Sequence, residues 1–334
     1  MSNYTYITLL IILVTNTTFG QDFNGFNTVL RTNRLTSAPY YIEIDYPSTL
    51  PGLVARYRAD DLESIIDDSK PWVNGSGKSP GKKATHHKFN RTVFQWRDIS
   101  KRDTDGDGIP DKNNNNHLTA YNKYRSFTDA NASASYSYNT ISSPSYQTNA
   151  NVSGDGINDH LFKDIEPNLT ENFTFIFVMR ATNPDPGTWN SFIASSSNTS
   201  EDDPNGPSIA GAWQISTNEN TDKLFFGYCG KIKNGTNWLP LIDFDTKRHV
   251  YYIEYHKPSK KLTIFVDGLA KVSHTVSAEN IGPIIDELRL FRNRNMDTYI
   301  AAEFNEFFLA DRLFTTGEKM KVTNYLIYKW GVNL

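Results

Sequence analysis

Short apolar runs separated by polar turns dominate this chain from residue 172 onward. The run 173–178 is nearly all apolar, which predicts a strand buried on both of its faces. The run 262–266 leads into Asp267-Gly268, a dipeptide typical of a two-residue hairpin turn. By the same reasoning, further strands are predicted at residues 53–57, 93–99, 212–217, 223–227, 250–255, 270–276, 284–291 and 302–309.

The last element of the chain has the periodicity of a helix. Its apolar positions share one helical face: Val322, Tyr325, Leu326 and Trp330. Thr315 and Glu318 have the spacing of a capping box at the start of this helix, and Gly331 follows as a stop. Many short strands and a single terminal helix predict an all-β fold built as a sandwich of two antiparallel sheets.

An acidic stretch at residues 103–114 has the ligand spacing of a calcium loop. The predicted ligands occupy positions one, three, five, seven, nine and twelve: Asp103, Asp105, Asp107, Ile109 (through its backbone carbonyl), Asp111 and Asn114. Carboxylates packed this closely repel one another unless a cation or protons neutralise them, so calcium is the predicted cofactor. The alternative is a solvated acidic turn without metal.

The order of residues in this loop distinguishes between two kinds of calcium site. The pattern D-x-D-x-D-G-I-x-D resembles a thrombospondin type 3 repeat. An EF-hand ends in a bidentate Glu, where this chain has Asn114, and Pro110 disfavours an exiting helix.

Composition and the N-terminus narrow the possible locations. The net charge of −3 over 334 residues does not favour nucleic acid or an anionic membrane as a partner. Residues 7–14 are apolar but too few to span a bilayer, and Thr18 and Gly20 suit cleavage before Gln21. We therefore expect a signal peptide at 1–20, a secreted or cell-surface protein with no membrane span after its removal, and an N-terminal extension at 21–50. Cys229 is the single cysteine and is expected to be packed.

Several stretches together resemble one known family. They read PGLVARYRAD at 51–60, VFQWRDIS at 93–100, SPSY at 143–146, GDGINDHL at 154–161, FTFIFVMR at 173–180, VDG at 266–268, EFFLADR at 306–312 and YLIYKWGV at 325–332. This pattern is similar to the concanavalin A-like lectin/glucanase superfamily in its laminin G-like form. The resemblance implies a jelly-roll domain over 51–334, into which the calcium loop at 103–114 is inserted after Ser100.

The chain lacks the catalytic patterns of enzymes with this fold. Enzymes of the family that cleave β-glucans carry Glu-x-Asp-x-x-Glu on one strand, which points the carboxylates into one groove. Glu303 and Glu306 lie three positions apart, an odd spacing, so a regular strand would place them on opposite faces. Asp286 and Glu287 are adjacent and fail for the same reason, and no lyase constellation is visible. We predict a protein that is not an enzyme, with a polysaccharide-active hydrolase or lyase as a less favoured alternative.

Sugar rings stack on exposed aromatic side chains, so aromatic residues near loops are the candidate ligand contacts. Those contacts are Trp72, Tyr121, Tyr124, Tyr136, Tyr138, Trp189 and Trp238. Trp96, Trp213 and Trp330 are expected in the core, and packing remains the alternative for the others. The predicted function is a secreted calcium-binding module that binds a glycan or cell-surface polysaccharide without catalysis. The alternative is a non-enzymatic adhesive or structural protein of the cell surface.

Overall fold

Two antiparallel sheets, here named A and B, form the protein. The structure, a computed structural model, describes residues 50–61, 65–67, 91–100, 116–119, 135–137, 150–155, 160–185, 187–195, 210–219, 222–230, 236–292 and 298–332. Its strands are β1 (Leu53–Arg58), β2 (Ile65–Asp67), β3 (Arg91–Trp96), β4 (Leu118–Thr119), β5 (Ser135–Ser137), β6 (Asn151–Asp155), β7 (Leu161–Leu169), β8 (Asn172–Ala181), β9 (Ser191–Ser195), β10 (Trp213–Ser216), β11 (Lys223–Cys229), β12 (Thr236–Asp243), β13 (His249–His256), β14 (Lys261–Val266), β15 (Leu269–Thr275), β16 (Ile285–Leu290) and β17 (Ala301–Ala310).

Antiparallel pairing fixes the order of strands in each sheet. Sheet A runs β1-β17-β8-β13-β14-β15, and β6 pairs with β17 beside β1, followed by β5. Sheet B runs β12-β11-β10-β9-β16-β7-β4-β3-β2. Strand β3 pairs in both sheets, with β5 in sheet A and with β2 and β4 in sheet B. The predicted all-β sandwich of two antiparallel sheets is confirmed.

Strand β8 is buried on both faces, as its apolar run predicts. Phe175 points between the sheets, where its ring centroid lies 6.0 Å from that of Trp213 in sheet B. Ile176 points the other way and pairs with Tyr252, whose ring lies beneath Lys319 of the helix. Burying a large apolar side chain stabilises a fold by about 1.5–3 kcal/mol. The side chains of β8 therefore stabilise the packing of sheet A against sheet B on one face and against the helix on the other.

Helix α1 (Thr316–Trp330) covers the outer face of sheet A. Its predicted capping box is present: Thr315 accepts a hydrogen bond from the Glu318 backbone, and the Glu318 carboxylate accepts one from the Thr315 backbone at 2.8 Å. Gly331 ends the helix with a left-handed φ of 61°. Within the described part of the chain, no helix has the length and apolar character needed to cross a membrane.

A buried ion cluster joins the helix to sheet A. The Glu306 carboxylate has no exposed surface and accepts hydrogen bonds from Arg56 at 3.0 and 3.1 Å. It also accepts bonds from Tyr325, Lys329 and Trp330 of the helix at 3.1, 3.3 and 3.0 Å. Burial alone would raise the pKa of Glu306, but the charges of Lys329 and Arg56 outweigh burial and lower it.

A β-bulge in β17 corrects one expectation about these carboxylates. The register shifts between Phe304 and Glu306, so that Glu303 lies opposite Arg180 and Glu306 opposite Val178. Residues 178 and 180 share one face of β8, so the two glutamates also share a face, and the prediction of opposite faces is wrong. Glu303 binds Arg180 at 2.6 Å and Glu306 lies beneath the helix, so each is held in an ion pair.

The hairpin between β14 and β15 and the three core tryptophans also follow the prediction. Asp267 and Gly268 have left-handed φ values of 54° and 77°, as the expected turn requires. Trp96, Trp213 and Trp330 are fully buried, and Cys229 is buried.

Candidate functional site

Two of the predicted ligand-contacting tryptophans meet on sheet B. Trp189 lies just before β9 and Trp238 lies in β12, and both are half-buried. Their ring centroids are 5.3 Å apart, with 52° between the ring planes. Phe225 of β11, also half-buried, packs edge-on against Trp238 at 6.3 Å and 85°. These three residues are named the aromatic cluster below.

The aromatic cluster is built on the face of sheet B that points away from the core. Leu239 pairs with Phe226, whose ring stacks on Trp213 at 5.3 Å inside the core. Alternation along the strands therefore turns Trp238 and its partner Gly227 to the opposite face.

Gly227 gives Trp238 the space to lie against the sheet. A Cβ atom added at Gly227 would lie 2.3 Å from the Trp238 ring atom Cζ3, which is closer than two non-bonded carbon atoms can approach. The indole therefore occupies the space above the glycine. The packing of the indole on Gly227 holds the Trp238 ring against β11.

The backbone holds Trp189 in an unusual conformation. Its φ of 63° lies in the left-handed region, which costs a non-glycine residue roughly 1–2 kcal/mol. Thr298 donates a hydrogen bond to the Trp189 carbonyl at 2.7 Å, and Thr217 Oγ1 donates to the Gly187 carbonyl at 2.8 Å. Thr217 Oγ1 also accepts a bond from the Asn190 backbone at 3.2 Å. Strain of this kind, fixed by its surroundings, is typical of residues positioned for binding.

Neutral polar groups lie next to the aromatic cluster. Gln214 pairs with Gly227 across β10 and β11, and its Nε2 donates to Ser216 Oγ at 2.9 Å. Both side chains are buried, although they point away from the core. Asn237, beside Trp238, is exposed. Of these three polar residues, Asn237 is the one that a sugar ring stacked on the partly exposed aromatic rings could reach with a hydrogen bond.

The other predicted site residues lie outside the residues or side chains that the structure describes. Tyr136 lies in β5, where the structure describes only the backbone. Outside the described residues lie Trp72, Tyr121, Tyr124 and Tyr138, and the predicted calcium ligands Asp103, Asp105, Asp107, Ile109, Asp111 and Asn114. Among the residues that are described, no group of three or more His, Cys, Asp or Glu side chains is arranged to hold a metal.

The segments that flank the predicted calcium loop, residues 98–100 and 116–117, are described, and they are joined by a hydrogen bond. The Asp98 backbone donates a hydrogen bond to His117 Nδ1 at 3.1 Å. Asp98 Oδ1 accepts bonds from the backbones of Arg56 and Ser100, each at 2.9 Å, and Asn116 Nδ2 donates to a β1 carbonyl at 3.1 Å. Burial, followed by the charge of a neighbouring arginine, lowers the pKa of His117 to about 4. The imidazole is therefore neutral at neutral pH, as an acceptor nitrogen requires.

Glu287, on the face of sheet B that carries the aromatic cluster, forms an ion pair with Arg289. Glu287 of β16 lies opposite Asp164 of β7, so two carboxylates share one face. Burial raises the pKa of Glu287 to about 7, and Arg289 binds its carboxylate directly. Glu287 is only 7% exposed, so this arrangement does not form an acid/base pair that a substrate could reach.

His249 lies between two carboxylates at the start of β13. Its Nδ1 lies 2.6 Å from Asp267 Oδ2 and its Nε2 lies 2.9 Å from Asp245 Oδ1. Burial alone would lower the pKa of His249, but the hydrogen bonds and charges of Asp267 and Asp245 outweigh burial and raise it. Both ring nitrogens can donate only in the protonated form, so the site favours the imidazolium.

We predict that His249→Gln lowers stability more at acidic than at alkaline pH. Because the folded pKa is raised, the stabilisation is fully present below the unfolded pKa of about 6.5 and is lost as pH rises through the folded value. The expected loss is on the order of 1–2 kcal/mol at pH 6. Melting temperatures of both proteins between pH 5 and pH 9 measure it. His256→Gln is the matched control, since its imidazole meets the Ser259 hydroxyl. A pH-independent difference for His249→Gln would contradict the assignment.

Comparison with known proteins finds weak similarity to solved structures. No family model matches the chain, and no curated protein matches it. Among solved structures, one concerning botulinum neurotoxin type C and its interaction with two ganglioside molecules is 13% identical, with a TM-score of 0.43. The binding domain of botulinum neurotoxin DC in complex with rat synaptotagmin II is 14% identical, with a TM-score of 0.42. Each match covers 64% of this chain and 53% of the other, so the chain spans about half the length of these proteins.

With TM-scores below 0.5, these matches assign neither a family nor a function to the chain. The jelly-roll topology, the concanavalin A-like assignment and the thrombospondin-like character of the loop remain predictions.

Proposed function

We propose that this protein binds carbohydrate without catalysis, and that the aromatic cluster is the binding surface. The observation that carries the proposal is the contact between Trp189 and Trp238, two half-buried tryptophans distant in sequence. Trp189 has a left-handed backbone conformation, and the Trp238 ring packs directly over Gly227.

The proposal also includes secretion and a calcium site at residues 103–114. The acidic spacing of the loop supports the metal site, and hard carboxylate oxygens suit calcium. The hydrogen bond that joins Asp98 to His117 brings together the two segments that flank the loop. In this proposal, Asp103, Asp105, Asp107, Asp111, Asn114 and the Ile109 carbonyl would hold the ion. The alternative remains an adhesive or structural cell-surface protein without a specific sugar site.

A glycan array tests the proposed function directly. The mature protein is applied with calcium and with a chelator, and the same glycans are then assayed for release of reducing ends. We expect binding to a defined set of glycans with no release. Release that depends on the protein would support an enzyme, and an absence of binding in both conditions would favour the adhesive or structural alternative.

We predict that calcium stabilises the chelated protein. Binding to the folded state alone contributes RT ln(1 + [L]/Kd), about 2.7 kcal/mol at a hundredfold excess over Kd. Calorimetric titration with calcium, alongside melting curves, measures the stoichiometry and the gain. Asp105→Asn combined with Asp107→Asn should abolish both signals, and magnesium is the control ion. No heat and no thermal shift with calcium would contradict the metal site.

A further inference from the structure

We propose that the aromatic cluster binds one soluble glycan segment, such as a chain end or a short bent stretch, and not the flat face of a crystalline polysaccharide. This inference rests on the proposed function and names its ligand class. The supporting evidence is the geometry of Trp189, Phe225 and Trp238.

The orientation of the rings excludes a flat ligand. A crystalline sugar surface presents parallel ring faces in one plane, so it requires aromatic rings that are coplanar. In the aromatic cluster the planes of Trp189 and Trp238 differ by 52°, and those of Phe225 and Trp238 by 85°. A flat surface laid on one ring would therefore meet the others at an edge and lose their stacking.

The two indoles form one continuous surface. With centroids 5.3 Å apart, they touch each other, and the surface bends where they meet. Because their planes differ by 52°, successive sugar rings with parallel faces along an extended chain cannot both stack on them. One sugar unit, or the bend between two units, can contact both indoles at once.

The supports of the two tryptophans act on different parts of each residue. The Trp238 indole fills the space above Gly227, so its ring lies against the face of sheet B. The left-handed φ of Trp189 and the bond from Thr298 to its carbonyl fix the backbone from which its ring projects. The Trp238 ring and the Trp189 backbone are therefore in place before a ligand binds, which lowers the entropic cost of binding a ligand of matching shape.

The experiment compares soluble and crystalline forms of the same sugars. The full mature protein is titrated with soluble cello-oligosaccharides, chito-oligosaccharides and array-positive glycans, and is then mixed with microcrystalline cellulose and crystalline chitin. We expect at least one soluble glycan to bind, and Trp238→Ala to weaken that binding at least tenfold. We expect no more of the protein to be retained on either crystal than of an albumin control.

Two failures are distinguishable. Retention on cellulose or chitin crystals that is lost in Trp238→Ala would overturn the inference while leaving carbohydrate binding intact. Failure to bind any soluble or crystalline glycan would overturn the proposed function itself. Circular dichroism and melting curves of Trp238→Ala verify that the variant is folded. Trp189→Ala gives a second, independent test of the same surface.

Discussion

Replacing Glu306 with Ala is expected to destabilise the protein by about 3–5 kcal/mol. The carboxylate is fully buried and accepts hydrogen bonds from Arg56, Tyr325, Lys329 and Trp330. Its removal takes a shared counter-charge from Arg56 and Lys329. Lys329 keeps its ion pair with Asp60 at 3.0 Å, so the cost falls mainly on the buried Arg56, because losing a close counter-charge is costly in a low-dielectric interior. Because three of the donors belong to α1, we expect the helix to loosen from sheet A. Equilibrium unfolding in urea at pH 7 measures the loss.

An exposed ion pair provides the matched control for Glu306. Glu171 pairs with Lys257, and the two side chains are 69% and 48% exposed. Glu171→Ala should cost less than about 1 kcal/mol, as exposed pairs contribute little. The lowered pKa of Glu306 means that its contribution is present above the unfolded pKa of about 4.3 and is lost as pH falls through the folded value. Equal losses for the two alanine variants would refute the role given to the buried cluster.

Gly227→Ala is expected to weaken glycan binding at least tenfold, about 1.4 kcal/mol, with little loss of stability. The added Cβ would lie 2.3 Å from Trp238 Cζ3, so the indole must leave its place above β11. Trp238 is half-buried at the outer face of sheet B, so its ring can move outward without opening the core. Titration of the variant with a glycan that the natural protein binds gives the change in Kd.

Gly317→Ala is the control for this substitution. No atom lies within 4 Å of a Cβ added at Gly317, which is in the first turn of α1. It should leave binding unchanged and increase stability by about 0.5–1 kcal/mol, because alanine favours the helix. If Gly227→Ala binds as tightly as Gly317→Ala, the position of Trp238 above Gly227 does not matter for the ligand.

Local signals explain which parts of the fold could be predicted. The apolar run of β8, the Asp267-Gly268 turn and the capping box of α1 each act within a few residues, and each is present. Alternation alone does not indicate strand β7, because its sequence LFKDIEPNL mixes charges with apolar residues and contains a proline. Strand β12 was not predicted for a similar reason, since Pro240 interrupts it. Prolines are tolerated at sheet edges, and β12 ends the order of sheet B.

The contact between the two tryptophans of the site depends on strand pairing, which the sequence alone does not reveal. Trp189 and Trp238 are each recognisable as loop-proximal aromatics, but the register of β11 and β12 and the Trp189 backbone bring them together. Phe225 was not among the predicted contacts. Alternation in KLFFG could have indicated it, because Phe225 and Gly227 share a face opposite to Leu224 and Phe226. The bulge at Asn305, which places Glu303 and Glu306 on one face, has no sequence signal of this kind.

The most direct test of carbohydrate binding at the aromatic cluster is calorimetric titration of the natural protein, Trp189→Ala and Trp238→Ala with the glycan that gives the strongest array signal. We predict measurable binding by the natural protein and at least a tenfold loss in each variant, with melting temperatures that show both variants to be folded. Binding of unchanged affinity in both folded variants would place the glycan elsewhere and contradict the assigned site.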